Sequence, residues 1–318
     1  MPEWLIERGV GETRAALVED GEIIEARIAL DGVTPAGSII AARLASPGTG
    51  GRNAVAIGEG GIEYLLPRGA AGVTQGATLT IEVTREAIPG TEPWKRPLAR
   101  IAAEATSLRP SLSGRDLPFP AAVDALGEAG WDDLVDQTRT GIVRFAGGEL
   151  RVSPTPAMTL IDVDGYLAPG ELAVIGAGQA AAAVRRLDIG GSIGVDLPTA
   201  ASKAARQSAA AAIDAALPQP LERTAVNGFG FVQLVRPRRR ASLVELAQDK
   251  PAFEARALLR RCALDGAGAR RLVAAPAVIA IIEARPEWIA ALGRQIGGRV
   301  ELRPDAALPM SGGYAENL

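Results

Sequence analysis

The rhythm of apolar runs changes once along this chain, near residue 141, and that change limits the folds open to it. Before it the runs are short and broken by turn residues. GETRAALVEDG alternates, and EIIEARIAL resumes the pattern after Asp20-Gly21, a pair that signals a hairpin. SIIAARLA, NAVAIG, EYLLP and TLTIEVTRE follow between residues 36 and 90, separated by Gly-rich turns. Short strands with a turn every roughly 8–12 residues predict a small barrel of OB type. Residues 91–130 are Pro-rich and irregular, with a helix expected near 98–106, and residues 122–138 read as helical.

After residue 141 strands and helices alternate. GIVRF and GELRVS predict a hairpin turning at Gly147-Gly148. MTLIDVDG, SIGVDL and FGFVQLVR read as strands, separated by the helical ELAVIGAGQAAAAVRRL and AASKAARQSAAAAIDAAL, and ASLVELAQ starts a further helix. This spacing argues for an α/β core. Residues 252–318 form another α/β unit: helix 252–264, RRLVAAPAV as strand then turn, helix 286–295 and RVELRP as strand. The expected class is therefore a multidomain α+β or α/β protein. Residues 1–97 carry N-terminal strands and the barrel, 98–140 connect, 141–250 form the core and 251–318 a small C-terminal domain.

Composition narrows the chemistry more than the fold. The sequence has no histidine, which removes Ser-His-Asp triads, Cys-His pairs and imidazole acid–base catalysis. The single cysteine, Cys262, excludes an internal disulfide and a multi-cysteine zinc site within one chain; it reads as a small apolar helix residue. A net charge of −3 means that nucleic acid would need a local basic patch. The N-terminus does not read as a signal peptide and no apolar run is long enough to span a bilayer, so a cytoplasmic protein without membrane contact is expected.

Carboxylates are then the chemical candidates. Asp162 and Asp164 stand at i, i+2 at the end of LIDVDG, on one face of a strand, and Asp196 ends SIGVDL. Ligands of open α/β sheets gather at the carboxyl ends of strands, where such acids can hold Mg²⁺. Acids after strands also serve as turn residues or helix caps, and Asp196 before Pro198 suits that role. Arg236, Arg238, Arg239 and Arg240 form VRPRRRAS, a cluster suited to phosphates or to a solvated face. Arg185 and Arg186 suit a helix C-terminus, and GAGQA and GTGGR do not form a dinucleotide motif. Of the tryptophans, Trp94 beside Lys95-Arg96 is the RNA-contact candidate.

These pieces, in order, resemble the ribonuclease E/G family over most of the chain. GETRAALVEDGEIIEARI resembles its start, and GSIIAARLA through TLTIEVTREAI its S1-like RNA-binding barrel. VRFAGGELRVSPTPAMTLIDVDG and RRLDIGGSIGVDL resemble the segments bearing its catalytic acids. RTAVNGFGFVQLVRPRRRASLVELA resembles the end of its DNase I-like/RNase H-like nuclease core, and RRLVAAPAVIA and GGRVELRPD its small domain. The resemblance implies a Mg²⁺-dependent endoribonuclease, with Mn²⁺ as a substitute, that cuts single-stranded RNA and leaves 5′-phosphates. Asp162 and Asp196 would ligate the metal, Asp164 would help orient the site, and Arg85 and Lys95 would meet the RNA.

Departures from the family are equally informative. The Cys-x-x-Cys zinc link is missing, so no zinc is expected, and a homo-oligomer would have to form without it. The 5′-monophosphate sensor and the RNase H-like subdomain beside it are largely missing. Ala54 or Val55, and Leu65, replace the stacking phenylalanines of the barrel, with Trp94 or Tyr64 as substitutes; each lost stack is worth ~1–3 kcal/mol. The loop after Asp164 is short and acidic-apolar. A non-catalytic RNA-binding or ribosome-associated protein is therefore the alternative, and a carboxylate hydrolase of another substrate is a weaker third. With the sensor missing, RNAs bearing 5′-triphosphate and 5′-monophosphate ends should be cut at similar rates. A strong monophosphate preference in a cleavage time course would overturn that expectation.

Overall fold

The computed structural model describes residues 1–89, 95–110, 112–199 and 202–318. Strands β1 (Glu3–Arg8), β2 (Glu12–Glu19) and β3 (Glu22–Leu30) form an antiparallel meander. Both central residues of its second turn, Asp20 and Gly21, have positive φ (51° and 84°). This is the turn geometry whose twist matches the strands it joins.

β4 (Ile39–Ser46), β5 (Ala54–Ile57), β6 (Glu63–Leu66), β7 (Thr78–Arg85) and β8 (Leu98–Ile101) close into a barrel in the order β4-β5-β6-β8-β7. β6 and β8 run parallel, and the other pairs are antiparallel. The helix expected near 98–106 is instead β8. Four residues are too few for periodicity to separate helix from strand, and closure of the barrel supplies the pairing. Alanines at 54 and 56 leave room in the barrel core for Tyr64, Leu44 and Ile81.

β9 (Arg115–Asp116), unforeseen in the Pro-rich stretch, adds to β1 in parallel. The helix expected over 122–138 is two pieces, α1 (Ala125–Glu128) and α2 (Trp131–Thr140), interrupted at Gly130 with φ 96°. Asp124 caps α1, its carboxylate accepting from the Gly127 amide at 2.9 Å.

Next come β10 (Ile142–Phe145), β11 (Gly148–Pro154), β12 (Thr159–Gly165), α3 (Pro169–Arg186), β13 (Gly191–Asp196), α4 (Lys203–Ala216), β14 (Glu222–Arg223) and β15 (Phe231–Arg236). Their strands make one sheet, β10-β11-β12-β13-β15-β14. The α/β character rests on the β12–α3–β13 crossover, whose strands are parallel; β15 returns antiparallel to β13. The chain ends with α5 (Leu243–Leu246), α6 (Lys250–Leu264), β16 (Arg270–Ala274), α7 (Pro276–Glu283), α8 (Pro286–Ile296), β17 (Val300–Pro304) and β18 (Tyr314–Asn317). The turn expected after RRLVA is helix α7, which Pro276 starts from the first helical position, where its missing N–H costs no hydrogen bond.

The segments that pack together are not contiguous. One compact unit comprises Met1–Asp31, Leu112–Asp136 and Leu246–Leu318; the other comprises Gly32–Ser111 and Gln137–Glu245. The first is tied by a buried ionic network. Arg14 reaches Glu7 at 2.8 Å and Glu12 at 2.7 Å, Arg256 reaches Glu12 at 2.8 Å, and Arg260 reaches Glu7 at 2.9 Å and Asp124 at 2.6 Å. Residues up to 253 positions apart are joined in this way. Replacing Arg260 removes one of the two arginines on Glu7 and the guanidinium on Asp124, leaving buried acid under-compensated. Arg260→Met should therefore cost about 3–5 kcal/mol, read as a lowered midpoint of urea unfolding.

Candidate active site

Alternation along β12 decides which side chains reach solvent. Ile161 and Val163 are buried, while Leu160, Asp162 and Asp164 face out. Behind the strand, Gly176 of α3 sits so close that an added Cβ would meet Val163 Cγ1 at 2.3 Å. The glycine inside α3 lets the helix lie directly on β12. On β13 the same alternation buries Ile193 and Val195 and turns Asp196 outward.

The parallel register places Asp162 opposite Asp196 and Leu160 opposite Gly194. Neighbouring strands lie about 4.8 Å apart and alternate residues about 7 Å apart, so Asp162, Asp164 and Asp196 crowd one face. The electrostatics report the crowding. Burial first, then the charges of Asp164 and Asp196, push the Asp162 carboxyl above the usual aspartate range, against Arg151 and the Val163 amide, which pull it down.

Arg151 and Glu149 on β11 complete this face, and sequence reasoning missed them. Arg151 is the register partner of Asp162, and Glu149 that of Asp164. The Arg151 guanidinium bonds Glu149 at 2.8 Å and comes within 4.0 Å of Asp164. The signal was present: Glu149 and Arg151 also stand at i, i+2, in a strand that pairs with LIDVDG. Beside the acids, Gly194 is covered by two apolar side chains; a Cβ there would meet Phe231 Cζ at 2.7 Å and Leu160 Cδ2 at 2.9 Å.

The donor set suits a hard cation. Asp162 and Asp196 offer oxygens side by side, and a positive charge between them would relieve the repulsion that raises Asp162. Among the described residues no group of three or more acidic, Cys or His side chains forms a ready-made metal cage. A pair of carboxylates fits Mg²⁺, which is commonly held by one or two carboxylates and keeps several waters, and Mn²⁺ shares the preference for oxygen.

The basic candidates lie elsewhere. Arg236 is the register partner of Gly191, while Asp196 pairs with Phe231, so the arginine run begins about 17 Å along the strands from the acids. Arg236 donates to the Ile189 carbonyl at 3.1 Å, and Arg238 pairs with Glu245. Arg240 lies 3.9 Å from Glu86 and 3.8 Å from Asp188. Arg239 is exposed, and its carbonyl accepts from the Glu86 amide at 2.8 Å. These contacts fasten the end of β7 to the segment after β15. Burial raises the pKa of Glu86, while the Ala36 amide and Arg240 oppose that rise.

On the barrel, Arg85 donates to the Arg96 carbonyl at 2.7 Å, one residue from the half-buried Lys95. Trp94 lies outside the described residues. Tyr64 is no stacking substitute: it is 2% exposed inside the barrel and donates to Thr34 Oγ1 at 2.9 Å. Val55 and Leu65 are cross-strand partners, half-buried, whereas Ala54 faces the core. The Cys262 thiol is buried and pushed up to about 11, chiefly by burial, which suits an inert packing residue.

Compared with known proteins, the chain matches no family model and no curated protein sequence. Among the described residues no helix is long and apolar enough to cross a membrane.

The raised Asp162 carboxyl fixes the sign of a pH and metal effect. A carboxyl whose folded pKa lies above its unfolded value weakens the fold above that pKa, and the penalty is relieved as pH falls through it. A cation held by the ionised pair relieves it at neutral pH. Mg²⁺ should therefore raise the thermal midpoint at pH 7.5 and lose this effect as acidification protonates Asp162. Asp162→Asn should raise the metal-free midpoint slightly and abolish the Mg²⁺ increment. An increment that survives in Asp162→Asn, in calorimetry with Mg²⁺ against EDTA, would place the cation elsewhere.

Proposed function

We propose that the chain is a Mg²⁺-dependent endoribonuclease that hydrolyses phosphodiesters in single-stranded regions of RNA and leaves 5′-phosphate ends. The observation that carries this reading is the register pairing of Asp162 with Asp196 on one solvent-facing, acid-crowded strand face. The ordered resemblance of the sequence to the ribonuclease E/G family supports it. So does the barrel, whose strand order and parallel β6–β8 pair fit an OB-type, S1-like RNA-binding module.

In this reading Asp162 and Asp196 bind the cation through adjacent oxygens. A divalent cation held there supplies charge neutralisation of the phosphodiester and a lowered pKa for attacking water. Asp164, on the same face, orients the site by accepting a hydrogen bond from water. Arg151 has a second part: its exposed guanidinium stands on this face and can donate to a phosphate oxygen. With no histidine in the chain, proton transfer falls to carboxylates and water.

A second reading, an RNA-binding or ribosome-associated protein without turnover, draws on one observation: the described residues present two adjacent acids rather than a preassembled cage. Incubation of the pure protein with total RNA in Mg²⁺ or EDTA, followed by mapping of new 5′ ends, separates the two. Asp162→Asn and Asp196→Asn should each reduce Mg²⁺-dependent cleavage about a hundredfold or more while leaving the circular dichroism spectrum unchanged. Full cleavage by both variants would sink the mechanism. Retained RNA binding without new ends in the wild type would support the second reading.

A further inference from the structure

The two most exposed aromatic side chains among the described residues are Tyr166 and Phe229, each 84% exposed. Both lie at the acid-bearing end of the six-stranded sheet. Tyr166 follows β12 directly, two residues after Asp164. Phe229 lies two residues before Phe231, the first residue of β15 and the register partner of Asp196.

The backbone beneath each ring is fixed. The Tyr166 amide donates to the Gly147 carbonyl at 3.1 Å. Asn227 Oδ1 accepts from the amides of both Phe229 and Phe231, at 2.9 and 3.1 Å. Between them Gly230, at φ 95°, approaches so closely that a Cβ would meet the Leu197 carbonyl at 2.1 Å. Two rings are thus held out by ordered backbone, where they add little to the core. Their strands, β12 and β15, flank β13, and both rings lie past the same end of the acids: by register Tyr166 is four residues beyond Asp162 and Phe229 two beyond the level of Asp196, about 14 and 7 Å along the strands. Phe231 and Leu160 cover Gly194 on the other side of the acids from the rings.

We infer that Tyr166 and Phe229 are base-stacking residues that hold unpaired nucleobases beside the phosphate at Asp162 and Asp196, beyond the same strand ends. The inference rests on the RNA-cleaving reading and names how that site grips its substrate. An acidic face repels the RNA backbone, and the arginine run lies far along the strands. The barrel pair Val55 and Leu65 has no aromatic face to offer. Stacking on exposed rings accepts every base and needs no positive charge.

The test uses full-length wild type, Tyr166→Ala, Phe229→Ala and Phe229→Trp with a fluorescein-labelled single-stranded RNA oligonucleotide. Cleavage is followed in Mg²⁺ and binding, by anisotropy, in Ca²⁺. Each alanine variant should raise KM about fivefold or more with kcat within about twofold, and tryptophan should restore KM. Abasic substitutions scanned along the oligonucleotide should weaken wild-type binding at two positions. At one of these the Phe229→Ala variant should show no further loss, and at the other the Tyr166→Ala variant should show none. Unchanged affinity in both variants, or abasic penalties that persist in both, overturns the inference and leaves the rings to a protein partner. A wild type that cuts nothing, yet shows ring-dependent and base-dependent binding, keeps the stacking assignment and removes the nuclease reading.

Discussion

The parallel pairing of β12 with β13 is the constraint on which the site depends. It joins two strands that are far from adjacent in sequence, through the α3 crossover, and sets Asp162 beside Asp196. Helix α3 holds the pair from behind, and the absent side chain at Gly176 allows that close seat on Val163. The side-chain period of a strand is two, so a slip of one residue would turn Asp162 and Asp164 into the core and Ile161 and Val163 into water. Burial of the apolar set therefore specifies the register, and the register specifies the acids.

Such a face has an energetic cost. Burial and the two like charges of Asp164 and Asp196 raise Asp162, and Arg151 offsets that rise only in part. In the proposed reading a bound cation would relieve this tension.

Charge elsewhere in the molecule has a structural role. In one unit Glu7, Glu12, Arg14, Arg256 and Arg260 pair with one another out of water, linking the first strands to helix α6. In the other, Arg238 and Arg240 engage Glu245, Glu86 and Asp188, which draws most of a conspicuous basic run into internal contacts. A motif that reads as a phosphate cradle in one dimension is here largely a fastening between the barrel and the segment after β15.

The sequence by itself determined the long or sharply signalled features: the Asp20-Gly21 hairpin, the barrel strands from Ile39 to Arg85, helices α3, α4, α6 and α8, and the outward pair Asp162 and Asp164. Each is encoded locally, by a period of two or 3.6 or by a turn residue, and local rules suffice to read it. Tertiary structure alone decided the rest. The short segments β8, β9 and β18 become strands because a neighbour offers a hydrogen-bonding edge. Tyr64 turns inward because Ala54 and Ala56 leave it space, and the arginine run separates from the acids because β15 runs antiparallel to β13. Arg151 joins the acids through strand register, and topology brings Tyr166 and Phe229 to the same end of the sheet. These are consequences of which strands pair and in which direction, and pairing between distant segments leaves no mark in any single window of sequence.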